Sequence, residues 1–418
     1  MSARRQTLSF TYVEGALWAI MVATAESYAL YFAILRGLTS TEVAVLTTVP
    51  ILLGALMNWL MPFLITTRYL KLGVLTCIFL QVMGLGALVL SVDSEHYGIV
   101  TFIGLSLYWM GGMGATPLWM DWVAGWLPRD KFGRFYTRRS SILSFVTAVF
   151  FVAAGYLIYR SPTLNIFYFI FGLAFLARFI SFGFLMAQES PPWKPKQLLA
   201  EIDKNPRVWS WTTIWTVIIF AALFKLVANI GSPFFLPYMM NELQLDAVQI
   251  ALVNGMSFLG LGLFVASFGE ALISFRAVTG LQIAMVLAAL NCLLWTFFTN
   301  IFAIATLQLF SGINWTIFDF ACVLIIQSNF PNGARRVLGI QMALASLATI
   351  LGSLVGSWLL NSGASSIEVF EISAFLRFFV AFCFLGYFYR SSELRIPLKT
   401  YRDFLKTAFS IRLGIFKT

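Results

Sequence analysis

Twelve long apolar stretches punctuate the chain, and few folds can absorb that pattern. An α-helix needs about 20 largely apolar residues to cross the hydrocarbon layer of a bilayer. No water is present there to satisfy free backbone N–H and C=O groups, so such stretches must be helical. The approximate limits in the first half are Phe10–Leu35, Val43–Thr66, Leu72–Val92, Tyr97–Trp126, Ser140–Tyr159 and Ile166–Gln188. In the second half they are Trp211–Tyr238, Val248–Phe268, Ala277–Phe298, Ile301–Ser328, Leu338–Leu360 and Val369–Tyr389. Most connections are short, so neighbouring helices pack antiparallel.

Composition agrees with lipid as the main solvent. The 418 residues are 60% hydrophobic and 11% charged, whereas a soluble chain carries about 25% charged residues. A soluble enzyme, a disordered tail and a nucleic-acid-binding domain are poor fits. Cys77, Cys292, Cys322 and Cys383 are scattered through apolar runs with no paired spacing, so they read as small hydrophobic side chains. His96 is the single histidine, in the polar connection Ser94-Glu95-His96-Tyr97. Alone it cannot build a zinc site or a catalytic triad. Neither a metal nor a cofactor is expected.

Charge placement sets the expected orientation. Arg4 and Arg5 precede a first span that is too long for a signal-peptide core and has no small-residue cleavage site. Of the 28 Lys and Arg residues, Arg178, Lys225 and Arg377 fall within spans, and Arg36 and Arg160 fall on the side opposite the N-terminus. All the others lie on the side of the N-terminus. The positive-inside rule makes that side cytoplasmic, with both termini there, in a plasma or bacterial inner membrane. The net charge of +10 then faces anionic lipid rather than nucleic acid.

The halves repeat each other. The longest break, rich in Pro and Lys, divides an N-terminal half at 1–190 from a C-terminal half at 209–390. A basic linker at 191–208 joins them, and a basic tail follows at 391–418. Leu38 to Leu46 after the first span parallels Leu245 to Val253 after the seventh, with Thr39 or Asp246 placed to cap the next helix. Arg68 matches Arg276. Asp121 followed by Pro128 and Arg134 matches Asp319 followed by Pro331 and Arg336. Ala174 to Phe179 resembles Ser373 to Phe378, which aligns Arg178 with Arg377. Four matches in one order indicate a duplicated six-plus-six architecture.

The chain at this point resembles the major facilitator superfamily over nearly its whole length. Its most specific likeness is Trp119-Met120-Asp121-Trp122 through Leu127-Pro128-Arg129-Asp130-Lys131-Phe132-Gly133-Arg134-Phe135-Tyr136. This is similar to the Pro-x-x-x-Arg-Gly-Arg-Phe-type loop after the fourth helix of many generic, mostly prokaryotic members. The usual Gly-x-x-x-Asp-Arg-x-Gly-Arg-Arg loop is reduced here to Thr67-Arg68-Tyr69-Leu70-Lys71, and Ser140–Tyr159 lacks the antiporter Gly-Pro motif. The fold implied is an all-α polytopic membrane protein, with twelve transmembrane helices in two six-helix pseudo-repeats. The activity implied is transport of a small solute by alternating access around a midplane site.

Charges inside a membrane span are costly and face the bundle interior or a partner. Lys225, Asn229 and Ser232 form one polar stripe on the seventh span, and Glu26 lies among small residues on the first. Glu26 and Lys225 are expected to face a central cavity, where they bind a solute or pair across a closed gate. A fixed structural ion pair or a snorkelling Lys is the plainer reading. Gln308, Ser311, Trp315, Asp319 and Cys322 line one side of the tenth span. There Trp315 could stack on a substrate and Gln308 could donate to it. Asn58 and Asn254 are further cavity candidates. Glu26 and Glu14 are the proton-coupling candidates. Asp121, Arg134, Asp319 and Arg336 are expected in gate ion pairs, and Arg178 with Arg377 in a structural role shared by the halves. Small residues along the eleventh span, from Gly339 to Gly356, suit close helix packing.

The primary expectation is a secondary active or facilitative transporter of a small organic solute, either proton-coupled or not, for which a monomer suffices. The alternative is a lipid or lysolipid flippase or scramblase on the same fold. A non-transporting membrane sensor is a third reading. No phosphate-binding Gly-x-x-x-x-Gly-Lys-Ser/Thr is present, and no nucleophile–base set marks an enzyme.

Overall fold

A computed structural model describes residues 3–38, 40–127, 129–161, 163–191, 209–274, 277–330, 334–390 and 400–402. Within these, the side chains of 3–5, 27, 40–41, 43–44, 47, 129–134, 137, 247 and 264–274 are left undescribed. Thr39, Pro128, Arg276, Pro331, most of the linker and most of the tail lie outside the described residues, as does the Arg134 side chain.

Every regular element described is helical. Helix α1 runs Ala3–Met21 and Ser27–Leu35, with a single π turn, Val22–Glu26, between them. Then come α2 (Ser40–Leu64), α3 (Leu70–Ser91), α4 (Tyr97–Ala124), α5 (Arg129–Arg160) and α6 (Ile166–Ala187). Helix α7 is Trp211–Gly231, continued through a 3-10 turn, Ser232–Phe234, into Phe235–Asn241. The last five are α8 (Ala247–Ser274), α9 (Ala277–Leu294), α10 (Ile301–Asn329), α11 (Ala334–Asn361) and α12 (Ser366–Arg390). Ten of the described helices are long and apolar enough to cross a membrane. The shorter apolar stretches Thr48–Leu64 and Val248–Leu263 lie in α2 and α8. The chain is an integral membrane protein, and its described residues include the twelve expected helices.

The helix ends follow from local chemistry. Asp246 caps α8 through a reciprocal pair: its Oδ1 accepts from Gln249 N–H at 2.8 Å, and its own N–H donates to Gln249 Oε1 at 2.9 Å. Helices α1 and α11 end alike on glycines with positive φ, Gly37 at 86° and Gly363 at 97°. Leu38 N–H donates back to Ala33 O and Ala364 N–H to Leu359 O, satisfying carbonyls left over at each helix end. Nothing crowds a Cβ at either glycine, so backbone conformation sets the residue. Pro50 and Pro62 lie inside α2 and Pro117 inside α4, interruptions that membrane helices tolerate when neighbours re-satisfy the freed groups.

The chain divides into two compact units. The first holds 1–129, 145–205 and 332–346, and the second holds 130–144, 206–331 and 347–418. The first stretch of α5 therefore belongs to the second unit, and the first stretch of α11 to the first. Within the first unit the main helix pairs are α3–α4, α2–α4, α1–α6 and α3–α6. Within the second they are α9–α10, α8–α10, α7–α12 and α9–α12. Each pair of one unit becomes a pair of the other on moving six helices along, so the duplication read from weak sequence matches is a packing pattern.

Aromatic side chains fill both units. Phe32, Phe167 and Phe171 meet between α1 and α6, and Phe224, Phe318, Phe384 and Phe388 anchor the second core. The outer surface is apolar as well: Phe302, Phe375 and Leu90 are each 70–81% exposed, as residues solvated by lipid would be.

Candidate functional site

Each unit buries an arginine on its last helix, and the two sites differ in how that charge is met. In the first unit, Arg178 on α6 is 3% exposed. Its Nη1 lies 3.7 Å from Glu14 Oε1 on α1, and both side chains are buried. Its Nε donates to Gln81 Oε1 at 2.8 Å and its Nη1 to Ser181 Oγ at 3.0 Å. Gly112 on α4 makes room for this arrangement, because a Cβ there would come within 2.7 Å of the Gln81 amide nitrogen. Nearby on α1, the π turn carries Glu26, whose Oε2 accepts a hydrogen bond from the Tyr108 hydroxyl at 2.7 Å. Isolated π turns often mark functional sites. Glu14 and Glu26 thus differ in partner: one faces a guanidinium and the other a neutral phenol.

In the second unit, Arg377 on α12 is likewise 3% exposed. Its Nε donates to Ser373 Oγ at 3.1 Å, and its Nη1 to Ala288 O at 3.1 Å. Its Nη2 donates to Ala228 O at 2.7 Å and Ser232 Oγ at 3.3 Å. No carboxylate lies within ion-pair distance of Arg377 among the described residues.

Arg377 borders a cavity of about 190 Å3 enclosed by α7, α9, α10 and α12. Its apolar walls are Phe235, Ala288 and the Trp315 ring. Its polar groups are Ser232, Asn291, Gln308, Ser311, Asn314 and the guanidinium. Asn291 Nδ2 donates to Leu307 O at 2.7 Å, and Gln308 Nε2 to Asn254 Oδ1 at 3.1 Å. Both side chains therefore keep their amide oxygens available as acceptors. Asn314 is 2% exposed, and its Oδ1 has no hydrogen-bond partner among the described residues. A buried carboxamide oxygen left bare costs about 1–3 kcal/mol.

Trp315 joins this cavity to an ion pair. Lys225 Nζ lies 4.2 Å from the Trp315 ring centre and 5.2 Å from that of Phe318. It also lies 2.9 Å from Asp319 Oδ1. Ser311, Trp315 and Asp319 follow one another at helical spacing along a single face of α10.

Several expected site residues meet partners that the sequence reading did not name. Lys225 meets Asp319, which makes Asp319 a neighbour of the cavity through Trp315. Arg336 is exposed over the Phe63 ring at 5.4 Å. Asp121 Oδ2 lies 3.6 Å from Arg335 Nη1, a residue the sequence reading did not name for a gate pair. Asn229 turns from the cavity: its Nδ2 donates to Lys225 O at 2.7 Å and Thr349 Oγ1 at 3.3 Å. Asn58 is buried on α2, packed where Gly339 approaches. Asn291, Asn314 and Tyr108 were not singled out in the sequence. For Asn314 a signal existed, since it continues the polar spacing of Gln308 and Ser311. The four cysteines are free thiols, three buried and Cys383 exposed, and no group of metal-ligating side chains occurs among the described residues.

No protein-family model and no curated protein sequence matches the chain. Solved structures do. The human organic anion transporter MFSD10 (TETRAN) superposes with a TM-score of 0.66 at 13% identity, over 92% of this chain and 100% of that one. The major facilitator transporter FucP, in an outward conformation, gives 0.62 at 14% identity, over 91% and 98%. A second FucP structure, of the E. coli fucose:proton symporter, gives 0.66 at 12% identity over the same shares. The chain therefore has the fold of the major facilitator superfamily.

Proposed function

We propose that this protein is a secondary transporter that binds a small polar organic solute in the cavity of its second unit and moves it by alternating access. The observation that carries this reading is a cavity lined by amides, an indole and a guanidinium. Ligand sites typically combine apolar walls with a few convergent polar groups. A cavity of about 190 Å3 suits a small solute. MFSD10 and FucP carry an organic anion and fucose with a proton, respectively, by their descriptions.

In this reading Trp315 stacks on the bound solute, Gln308 and Asn314 hydrogen-bond it, and the Lys225–Asp319 pair stands at the edge of the site. Glu26 is the proposed proton site, because its described partner is a phenol while Glu14 faces Arg178. The Asp121–Arg335 pair serves as a gate contact. The protein works as a monomer in the cytoplasmic membrane, its termini and basic face toward the cytoplasm and anionic lipid.

The test is uptake into proteoliposomes across a panel of labelled small solutes, with and without an imposed pH gradient. A solute taken up by the wild type and not by Asn314→Leu or Trp315→Ala supports the site. Gradient-driven accumulation abolished by Glu26→Gln supports proton coupling. Movement of a fluorescent phospholipid or lysolipid, with no uptake of any small solute, would overturn the reading.

A further inference from the structure

We infer that the solute is a small organic anion, a carboxylate carrying hydroxyl groups, whose charge is met by Arg377. This rests on the proposed cavity and specifies what enters it.

The duplication supplies an internal comparison. Arg178 and Arg377 occupy matching places on α6 and α12, both 3% exposed. Arg178 has a carboxylate of its own, Glu14. Arg377 has two backbone carbonyls and two hydroxyls, and no carboxylate among the described residues. Dipoles hold the guanidinium in place, yet the net charge stays uncompensated in a medium where an isolated ion is expensive. Where that charge sits, the structure leaves a cavity; the matching arginine has Gln81 reaching it, while Arg377 meets the backbone of Ala288. An arginine has five N–H donors, of which four are engaged here, so one on Nη1 is left for a guest.

The other groups state what else the guest carries. Asn291 and Gln308 line the cavity with their amide nitrogens engaged, which leaves their oxygens as acceptors. Acceptors ask for donors, which hydroxyls provide. A guest with a carboxylate at one end and one to three hydroxyls answers both demands. A neutral polyol satisfies the amides and leaves the arginine's charge unmet; a simple fatty acid does the reverse.

Matched pairs of solutes separate these cases. The detergent-purified full chain is melted with erythronate or erythritol, and with glycerate or glycerol, at constant ionic strength. Binding to the folded state raises the midpoint by mass action. The hydroxy acids are expected to raise it by several degrees and the polyols not at all. Arg377→Gln removes the charge but also three helix contacts, so Asn314→Asp is the decisive variant. It adds a carboxylate to the cavity without changing its shape, and it should abolish the response to hydroxy acids while the solute-free midpoint holds or rises.

A response to hydroxy acids that persists in Asn314→Asp overturns the inference. A response to the polyols alone, lost in Asn314→Leu, overturns the anion class and leaves the cavity standing as the solute site. No response to either member of any pair overturns the inference, and the uptake panel then decides the cavity separately.

Discussion

Lys225 Nζ stands 2.9 Å from Asp319 Oδ1 and 4.2 Å from the centre of the Trp315 ring, so the pair is tied to the cavity wall through one indole. The Asp319 side chain is 59% exposed and that of Lys225 is 18% exposed. Solvent screening of such a pair limits its worth to about 0–1 kcal/mol, with about 0.5–1 kcal/mol more from the cation–π contact. Asp319→Asn and Lys225→Met should therefore each shift the melting midpoint only slightly. Uptake should fall by about tenfold or more in both, a change worth about 1.4 kcal/mol or more. A double-mutant cycle on stability checks the first statement, since a coupling of about 3 kcal/mol or more is the mark of a buried pair.

How much of this was legible in the sequence depends on the scale of the interaction. The twelve helices were, because a bilayer imposes its length requirement on each apolar stretch separately. The Asp246 cap was legible for a similar reason, since its partner Gln249 is three residues away. The matching of Arg178 with Arg377 also survived into the structure, as buried residues at the same place in each unit. Partners across helices were not legible. Lys225 meets Asp319 because α7 and α10 pack together at that height, which no local spacing encodes. Asn229 had the right helical spacing from Lys225, yet its amide is drawn to the Lys225 carbonyl and to Thr349. Tyr108 escaped notice because a tyrosine in an apolar run is ordinary, and only its distance to Glu26 marks it.

The buried pair in the first unit should behave differently from the exposed one in the second. Glu14 and Arg178 are 5% and 4% exposed at the side chain, so removing one takes a buried opposite charge from beside the other. Arg178→Met or Glu14→Gln alone is expected to cost about 3–5 kcal/mol. The double variant should recover a substantial part of that, because neither charge then remains. Melting of the four chains in one detergent checks it; a double variant as unstable as the sum of the singles would show that Arg178 acts through Gln81 and Ser181 instead.

Helix packing around the cavity depends on two glycines. A Cβ on Gly312 would collide with Ser257 O, and one on Gly260 with Leu309 O, so α8 and α10 touch backbone to backbone. Gly312→Ala should cost about 1–3 kcal/mol by overpacking, with displacement of α10 and its cavity face. Gly172 and Gly183 on α6 have nothing within 4 Å of a Cβ. Alanine there should be neutral or stabilising by up to about 1 kcal/mol, from helix propensity alone. Melting midpoints of the three variants separate the effect of contact from that of glycine itself.

Within the described residues 400–402, the Tyr401 hydroxyl donates to Gln282 Oε1 on α9. A phenol ordinarily loses its proton near pH 10, at about that value, and burial raises Tyr401 above it. The docked state then binds the proton more tightly than the undocked one. Docking is fully stabilised below about pH 10 and lost as pH rises through the higher docked value. A nitroxide on Thr400→Cys, in a chain with Cys383→Ser, should report an immobile spectrum at pH 8 and a mobile one only above pH 10, at about the raised value. Tyr401→Phe should be mobile throughout, since it keeps the ring and loses the donor. If that variant stays as immobile as the parent at pH 8, ring packing rather than the hydrogen bond holds the segment.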